Sequence, residues 1–251
     1  MGRTKPSTCL GLAALLAGAA AFPQTPAPPR VEEILARYVE ARGGLARIRA
    51  LESFRMTGTL AFAGGPPAPF VLEMKRPRLM RTEFRFAGQV GVQAFDGERA
   101  WALLPMAGST TPEFLPDEAS REAADQADIE GLLVDPAAKG TKVVYVGVET
   151  VAGRDCHKLE ATLKSGAVRH VYLDVGTYLE AKSAGKRRAG EEEVVIETLS
   201  RDYREVGGLK LPFLIEAGPA GRPERQRITL EKVELDVPLD ASRFRRPGPR
   251  G

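Results

Sequence analysis

From Ser53 almost to the C-terminus, one pattern repeats: apolar and polar residues alternate, and a glycine turn breaks the run. A period of two puts successive side chains on opposite faces of a strand, so this pattern excludes a helical protein over most of the chain. Met56, Gly58, Leu60 and Phe62 alternate with Arg55, Thr57 and Thr59. Phe70, Leu72 and Met74 alternate with Glu73 and Lys75, and Met80, Thr82, Phe84 and Phe86 with Arg81, Glu83 and Arg85. Residues 89–95 and 98–104 flank Asp96-Gly97 as a hairpin. Further strands are predicted near 142–151, 154–164, 167–174, 178–188, 191–205, 209–217 and 225–236, separated by turns such as Ala152-Gly153, Ser165-Gly166 and Gly207-Gly208. The connections are too short for crossover helices, so the sheet is antiparallel.

Helical spacing occurs in two places. Val31, Ile34, Leu35, Tyr38, Ala41, Leu45 and Ile48 form one apolar stripe, interrupted by Gly43-Gly44, which predicts helices near 30–42 and 44–51. Residues 105–115 read as a loop, and 116–134 as a helix opened by Pro116, Asp117 and Glu118. Its apolar content gathers at Ile129, Leu132, Leu133 and Val134, so it is expected to lie on a surface.

The first 21 residues stand apart. Arg3 and Lys5 precede an apolar run from Cys9 to Ala21 that ends in Ala19-Ala20-Ala21. The run falls short of the roughly 20 apolar residues a membrane span needs, and has the form of a secretory signal peptide. The expected organisation is a leader at 1–21, a Pro-rich linker at 22–29, one domain at 30–247 and a tail at 248–251. Localisation is then exported and periplasmic, with no membrane span in the mature chain. Cleavage lowers the net charge from +3 to +1 and removes Cys9, leaving Cys156 as a lone, structural thiol. So balanced a charge argues against nucleic acid as a partner.

Catalytic patterns are missing. No HExxH, Walker A, GxGxxG, CxxC or GxSxG motif occurs. His157 and His170 are the only histidines, and no metal or cofactor is expected. Ser183 and Lys186 have the serine–lysine spacing, but at a basic hairpin tip rather than on a helix. Glu191, Glu192 and Glu193 are expected to pair across the hairpin with Lys186, Arg187 and Arg188. The chain reads as a non-enzyme.

The first block of strands is rich in methionine and aromatic residues, which suit either an ordinary core or an adaptable ligand surface. A long curved sheet under few helices leaves concave apolar surface, where an acyl chain would fit. The expected lining is Met56, Leu60, Met80, Phe84, Phe86, Trp101 and Leu103. Segment 105–135, loop plus helix, is the expected lid, with Ile129, Leu132 and Leu133 as its lid residues.

Several segments resemble the LolA/LolB-like group, the outer-membrane lipoprotein-sorting proteins. ILARYVEARGGLARIRALESFRMTGTL (34–60) resembles that group's first helix, Gly-Gly break and first strand. FDGERAW (95–101) resembles its Asp-Gly hairpin, and VETVAGRDCHKLEATLKSG (148–166) and VYLDVGTYLEAKS (171–183) its paired central strands. DYREVGGLKLPFLIE (202–216) and ELDVPLDASRFRRP (234–247) resemble its closing strands and tail. The resemblance implies a mainly β (α+β) fold: one curved, half-open antiparallel barrel of about 11–12 strands, its concave face covered by helices. It implies binding of lipid or lipoprotein acyl chains without catalysis, and a basic lid latch for which Arg55, Arg81 and Arg85 are candidates. A structural or sensory envelope module that binds a protein partner is the alternative.

Overall fold

The computed structural model describes residues 29–62, 65–189 and 192–248, together with Met1. The expected leader beyond Met1, linker residues 22–28, the turn residues Gly64, Gly190 and Glu191, and tail residues 249–251 lie outside the described residues.

Helix α1 (Val31–Ala41) carries Glu32 and Glu33 in its first turn and buries Ile34 and Tyr38. Its stripe continues into α2 (Leu45–Ala50) through Ile48. Gly43 makes the corner between them, with φ of 120°. A Cβ at Gly43 would sit 2.1 Å from the Gly208 carbonyl oxygen, so only glycine lets this corner rest on a sheet hairpin.

Thirteen strands follow among the described residues. They are β1 (Ser53–Ala61), β2 (Ala68–Lys75), β3 (Leu79–Phe86), β4 (Gln89–Phe95), β5 (Ala100–Leu103), β6 (Glu113–Phe114), β7 (Lys142–Val151), β8 (Arg154–Thr162), β9 (Val168–Asp174), β10 (Glu180–Ala189), β11 (Glu192–Val206), β12 (Leu209–Pro219) and β13 (Gln226–Leu235). They form one sheet in the order β6-β5-β4-β3-β2-β1-β13-β12-β11-β10-β9-β8-β7, with antiparallel pairing. The edges β6 and β7 are not paired with each other, so the barrel stays half open. The strand beyond the expected number is β6, two residues within the segment read as a loop.

The register sorts the side chains. Phe54, Met56 and Leu60 of β1 share a face with Met74, Leu72 and Phe70 of β2, and with Met80 and Phe84 of β3. One core joins these residues to Ile34, Tyr38 and Ile48, and also to Leu159, Val171 and Leu173 from the far half of the sheet. Residues so distant along a sheet meet only where it curves around the helices, so this face is the concave one.

Helix α3 (Asp117–Gln126) is shorter than the expected 116–134. At Ala127 the chain leaves the helix, and the Asp128 carboxylate accepts from the Glu130 amide (3.2 Å) while Gly131 adopts φ of 91°. Residues 127–134 therefore form an irregular loop pinned from both sides. Arg42 Nη1 donates to the Glu130 carbonyl (2.7 Å) and Lys139 Nζ to that of Gly131 (2.9 Å). The apolar cluster at its end still packs inward, with Leu133 and Val134 essentially inaccessible.

Asp-containing turns hold the hairpins. Asp96 Oδ1 accepts from the Glu98 and Arg99 amides (3.0 and 2.8 Å). Asp174 Oδ1 accepts from the Gly176 and Thr177 amides and the Thr177 hydroxyl. These contacts explain why an aspartate stands three residues before a threonine at this turn, Asp174 before Thr177.

Candidate functional site

The concave face divides into a filled part and an open part. Met56 and Leu60 are buried in the packed centre beneath α1 and α2. Met80 and Phe84 are partly buried against the same core, and Phe86 is exposed. The seven residues expected to line one cavity do not share a face. Pairing of Val92 with Leu103 and of Ala94 with Trp101 puts Leu103 and Trp101 on the convex side. There Trp101, 1% exposed, packs with Val92 and Ala94, and its Nε1 donates to the Phe244 carbonyl (2.8 Å). Alternation alone does not say which of two faces is inward, and the chain tail supplies the cover the convex face would otherwise lack.

The open part lies in the other half, under α3 and the 127–134 loop. A recess of about 360 Å³ has a floor of Val171, Ser183, Ser200, Tyr203 and Leu211. Leu132 and Leu133 close it from above, and Tyr38 and Arg42 of α1 from the side. A wider mouth of about 720 Å³ adjoins it between α3 and the β9–β10 strands. Asp125, Arg169 and Arg187 border both.

The inner end is polar. Arg42 Nη1 donates to the Tyr38 hydroxyl (3.1 Å), and the Tyr203 hydroxyl donates to the Glu180 carbonyl (2.8 Å). Burial pushes the Glu180 carboxyl above the usual carboxylate range, against the opposing pull of Ser183 and Arg42. Burial also raises the Tyr38 and Tyr203 phenols.

Helix α3 bridges the gap across the half-barrel. Its alanine side, Ala123, Ala124 and the following Ala127, packs on Phe95, Ala100 and Met80. Its acidic side faces the β9–β10 end, where Glu122 pairs with Arg187 (2.5 Å) and Glu118 with Arg188 (3.6 Å). Asp125 accepts from the Ser165 hydroxyl (2.9 Å). Arg187 and Arg188, expected to pair with the glutamates of their own hairpin, hold α3; among the described residues Lys186 alone of the three pairs within the hairpin, with Glu193 (3.0 Å).

The three arginines suggested as a latch are elsewhere. Arg55, Arg81 and Arg85 alternate with the inward residues and share the convex face. Arg55 and Arg243 both donate to Glu73, which is 2% exposed. Ser183 faces the recess, whereas Lys186 is three residues along the same strand and committed to Glu193. His157 lies between Tyr145 and Tyr178, with ring centroids 5.8 and 5.5 Å away. Its burial lowers its pKa. His170 is one strand position out of phase with it and meets Glu160 at 3.2 Å. Cys156 is fully buried.

No protein-family model matches the sequence, and no curated protein matches it. Solved structures do match in architecture. A LolA superfamily protein from Nitrosomonas europaea superposes with a TM-score of 0.60 at 13% identity, covering 87% of this chain and 99% of that one. A DUF1329 family protein from Desulfovibrio piger gives 0.58 at 14% identity, over 86% and 97% of the two chains. A domain named for outer-membrane lipoprotein sorting, from Vibrio parahaemolyticus, gives 0.56 at 14% identity, over 84% and 94%. Superposition over 84–87% of this chain at such low identity speaks for shared architecture alone, and on that ground the chain has a LolA-like fold.

Proposed function

We propose that the protein is an exported, periplasmic, non-catalytic binding protein. It holds the apolar part of a lipid, or the acyl group of a lipoprotein, beneath α3 and the 127–134 loop. The observation that carries this reading is the recess itself: apolar walls from Leu132, Leu133, Val171 and Leu211, closed by a helix that charged pairs tether across the opening. Burying an acyl chain there contributes roughly 0.8 kcal/mol per CH₂. Lifting α3 would uncover Met80 and Phe95, and would join the recess to the apolar rim at Phe84 and Phe86. Leu132 and Leu133 then act as the roof and Ile129 as its anchor in the core. One neighbour in fold is named for lipoprotein sorting, which agrees with this reading.

The test is lipid mass spectrometry on protein purified from its native host, followed by titration with a fluorescent fatty acid. Co-purifying lipid, and saturable binding weakened by Leu132→Asp, are expected. Absence of both removes the proposal. The second reading, an envelope module that binds a protein partner, is favoured by edge strand β7, whose Val144, Val146 and Val148 are exposed. It predicts that Val146→Lys abolishes capture of one stoichiometric envelope protein and leaves fatty-acid binding intact.

A further inference from the structure

The charges around the recess do not balance. Arg42, Arg169, Arg187 and Lys210 border it, against Asp125 and Glu180. Arg187 is answered by Glu122. Among the described residues, Arg42, Arg169 and Lys210 have no carboxylate within ion-pair distance. Most other arginines of the sheet do: Arg55, Arg81, Arg154, Arg201, Arg204 and Arg227 each meet an aspartate or glutamate. The bonds Arg42 and Arg169 do make go to neutral oxygens. Arg42 Nη1 is bound to the Tyr38 hydroxyl and the Glu130 carbonyl. Arg169 Nη1 reaches the Val168 and Lys186 carbonyls only at 3.4 Å. The Arg42 guanidinium, held under the 127–134 loop, is largely withdrawn from water without an ion-pair partner, which is costly; an anion entering beside it, at the more exposed Arg169, restores the balance.

We infer that the ligand of this recess is a single-chain anionic amphiphile, whose head is received by Arg42 and Arg169 and whose chain runs along Leu132, Leu133, Val171 and Leu211. The inference rests on the binding role proposed above and adds the charge of the head and the number of chains. The volume of about 360 Å³ lies near the lower end of ligand cavities, so it takes one chain rather than two or three. Glu180 opposes the anion less than an exposed carboxylate would, because burial raises its carboxyl above the usual range. A carboxylate and a phosphate monoester share this chemistry.

The experiment measures binding of four probes of equal chain length to the full mature chain: a fatty acid, an alkyl phosphate, a fatty alcohol and an alkylammonium. The acid or the phosphate is expected to bind at least tenfold tighter than the alcohol, with the alkylammonium weakest. Which of the two anions leads identifies the head. The preference should shrink severalfold in Arg169→Gln, which gives up only long contacts to carbonyls and so keeps the fold. Lys232→Gln, a charge removed from the convex face, should leave the preference unchanged. Equal binding of acid and alcohol overturns the anionic head and leaves the apolar-binding role standing. Binding of none of the probes overturns both. A preference that survives Arg169→Gln and Arg42→Gln in folded protein also overturns the inference, since the discrimination would then arise elsewhere.

Discussion

Glu180 shows what a single side chain contributes when the fold removes it from water. Its carboxyl is raised above the ordinary value by burial, with Arg42 and Ser183 pulling the other way. A raised acid binds its proton more tightly folded than unfolded. Its favourable contribution is therefore complete below the unfolded carboxylate value, about 4.3, and is lost as pH rises towards the folded value. Glu180→Gln should accordingly raise the melting temperature at pH 7, with the advantage vanishing near pH 4 in a pH series of thermal scans. His157 has the opposite slope. Its lowered pKa, caused by burial and then by Arg37, means that stability falls as pH drops through the unfolded histidine value. Trp101 tests the convex face: Trp101→Phe removes the bond to the Phe244 carbonyl and should cost about 1 kcal/mol in urea denaturation, whereas Trp101→Ala should cost roughly 3–5 kcal/mol. At this scale the site was only half legible. Alternation identified Trp101 and Leu103 as buried-side residues without saying which side. Arg42 and Tyr38 are one helical turn apart and readable as neighbours, but nothing in their spacing announces that Glu180 and Tyr203 arrive from the sheet.

At the scale of elements, the hairpins were readable because their information is local. The Asp96-Gly97 and Asp174–Thr177 turns carry their own hydrogen-bond acceptors, so each strand pair and its register follow from adjacent residues. The segment after Asp117 was not, because its fate depends on distant groups. Ala123, Ala124 and Ala127 continue a helical pattern that Asp128, Gly131 and the side chains of Arg42 and Lys139 then end. Only Ser120 of α3 is buried, and its hydroxyl accepts from the Ala100 amide (3.0 Å). An element with so little buried area and its charged side on Arg187 and Arg188 is a low-stability unit, suited to opening. The Glu122–Arg187 pair is partly exposed, so Glu122→Gln should change global stability by no more than about 1 kcal/mol. It should nevertheless speed fatty-acid uptake in stopped-flow measurements. It should also weaken the salt dependence of that rate, because the tether that salt screens is already gone. An unchanged rate would mean that α3 does not gate the recess.

For the molecule as a whole, the important seam is β1 against β13, where the first strand of the sheet meets the last. It lies between the two strand blocks, and the concave core crosses it, from Phe70 and Met74 on one side to Leu159 and Leu173 on the other. The two halves therefore cannot bury their apolar faces independently, even though each is a meander of local hairpins. The halves carry separate reporters. Trp101, the only tryptophan, is buried in the β4–β5 region, and Cys156 is buried in β8. Tryptophan emission and thiol reactivity should give one coincident midpoint in urea, as an all-or-none transition requires. Gly58 tests the seam directly. At the irregularity between Thr57 and Gly58, a Cβ on Gly58 would fall 2.0 Å from the Thr229 carbonyl oxygen and 2.8 Å from the Leu230 Cα. Both contacts are backbone and cannot swing aside. Gly58→Val should therefore destabilise the protein by more than about 3 kcal/mol, in the range reserved for disrupted packing. It should move both reporters together. If the tryptophan transition shifted while Cys156 stayed protected at its original midpoint, the halves would be separate cooperative units, and the recess in the far half would outlast the loss of the near one.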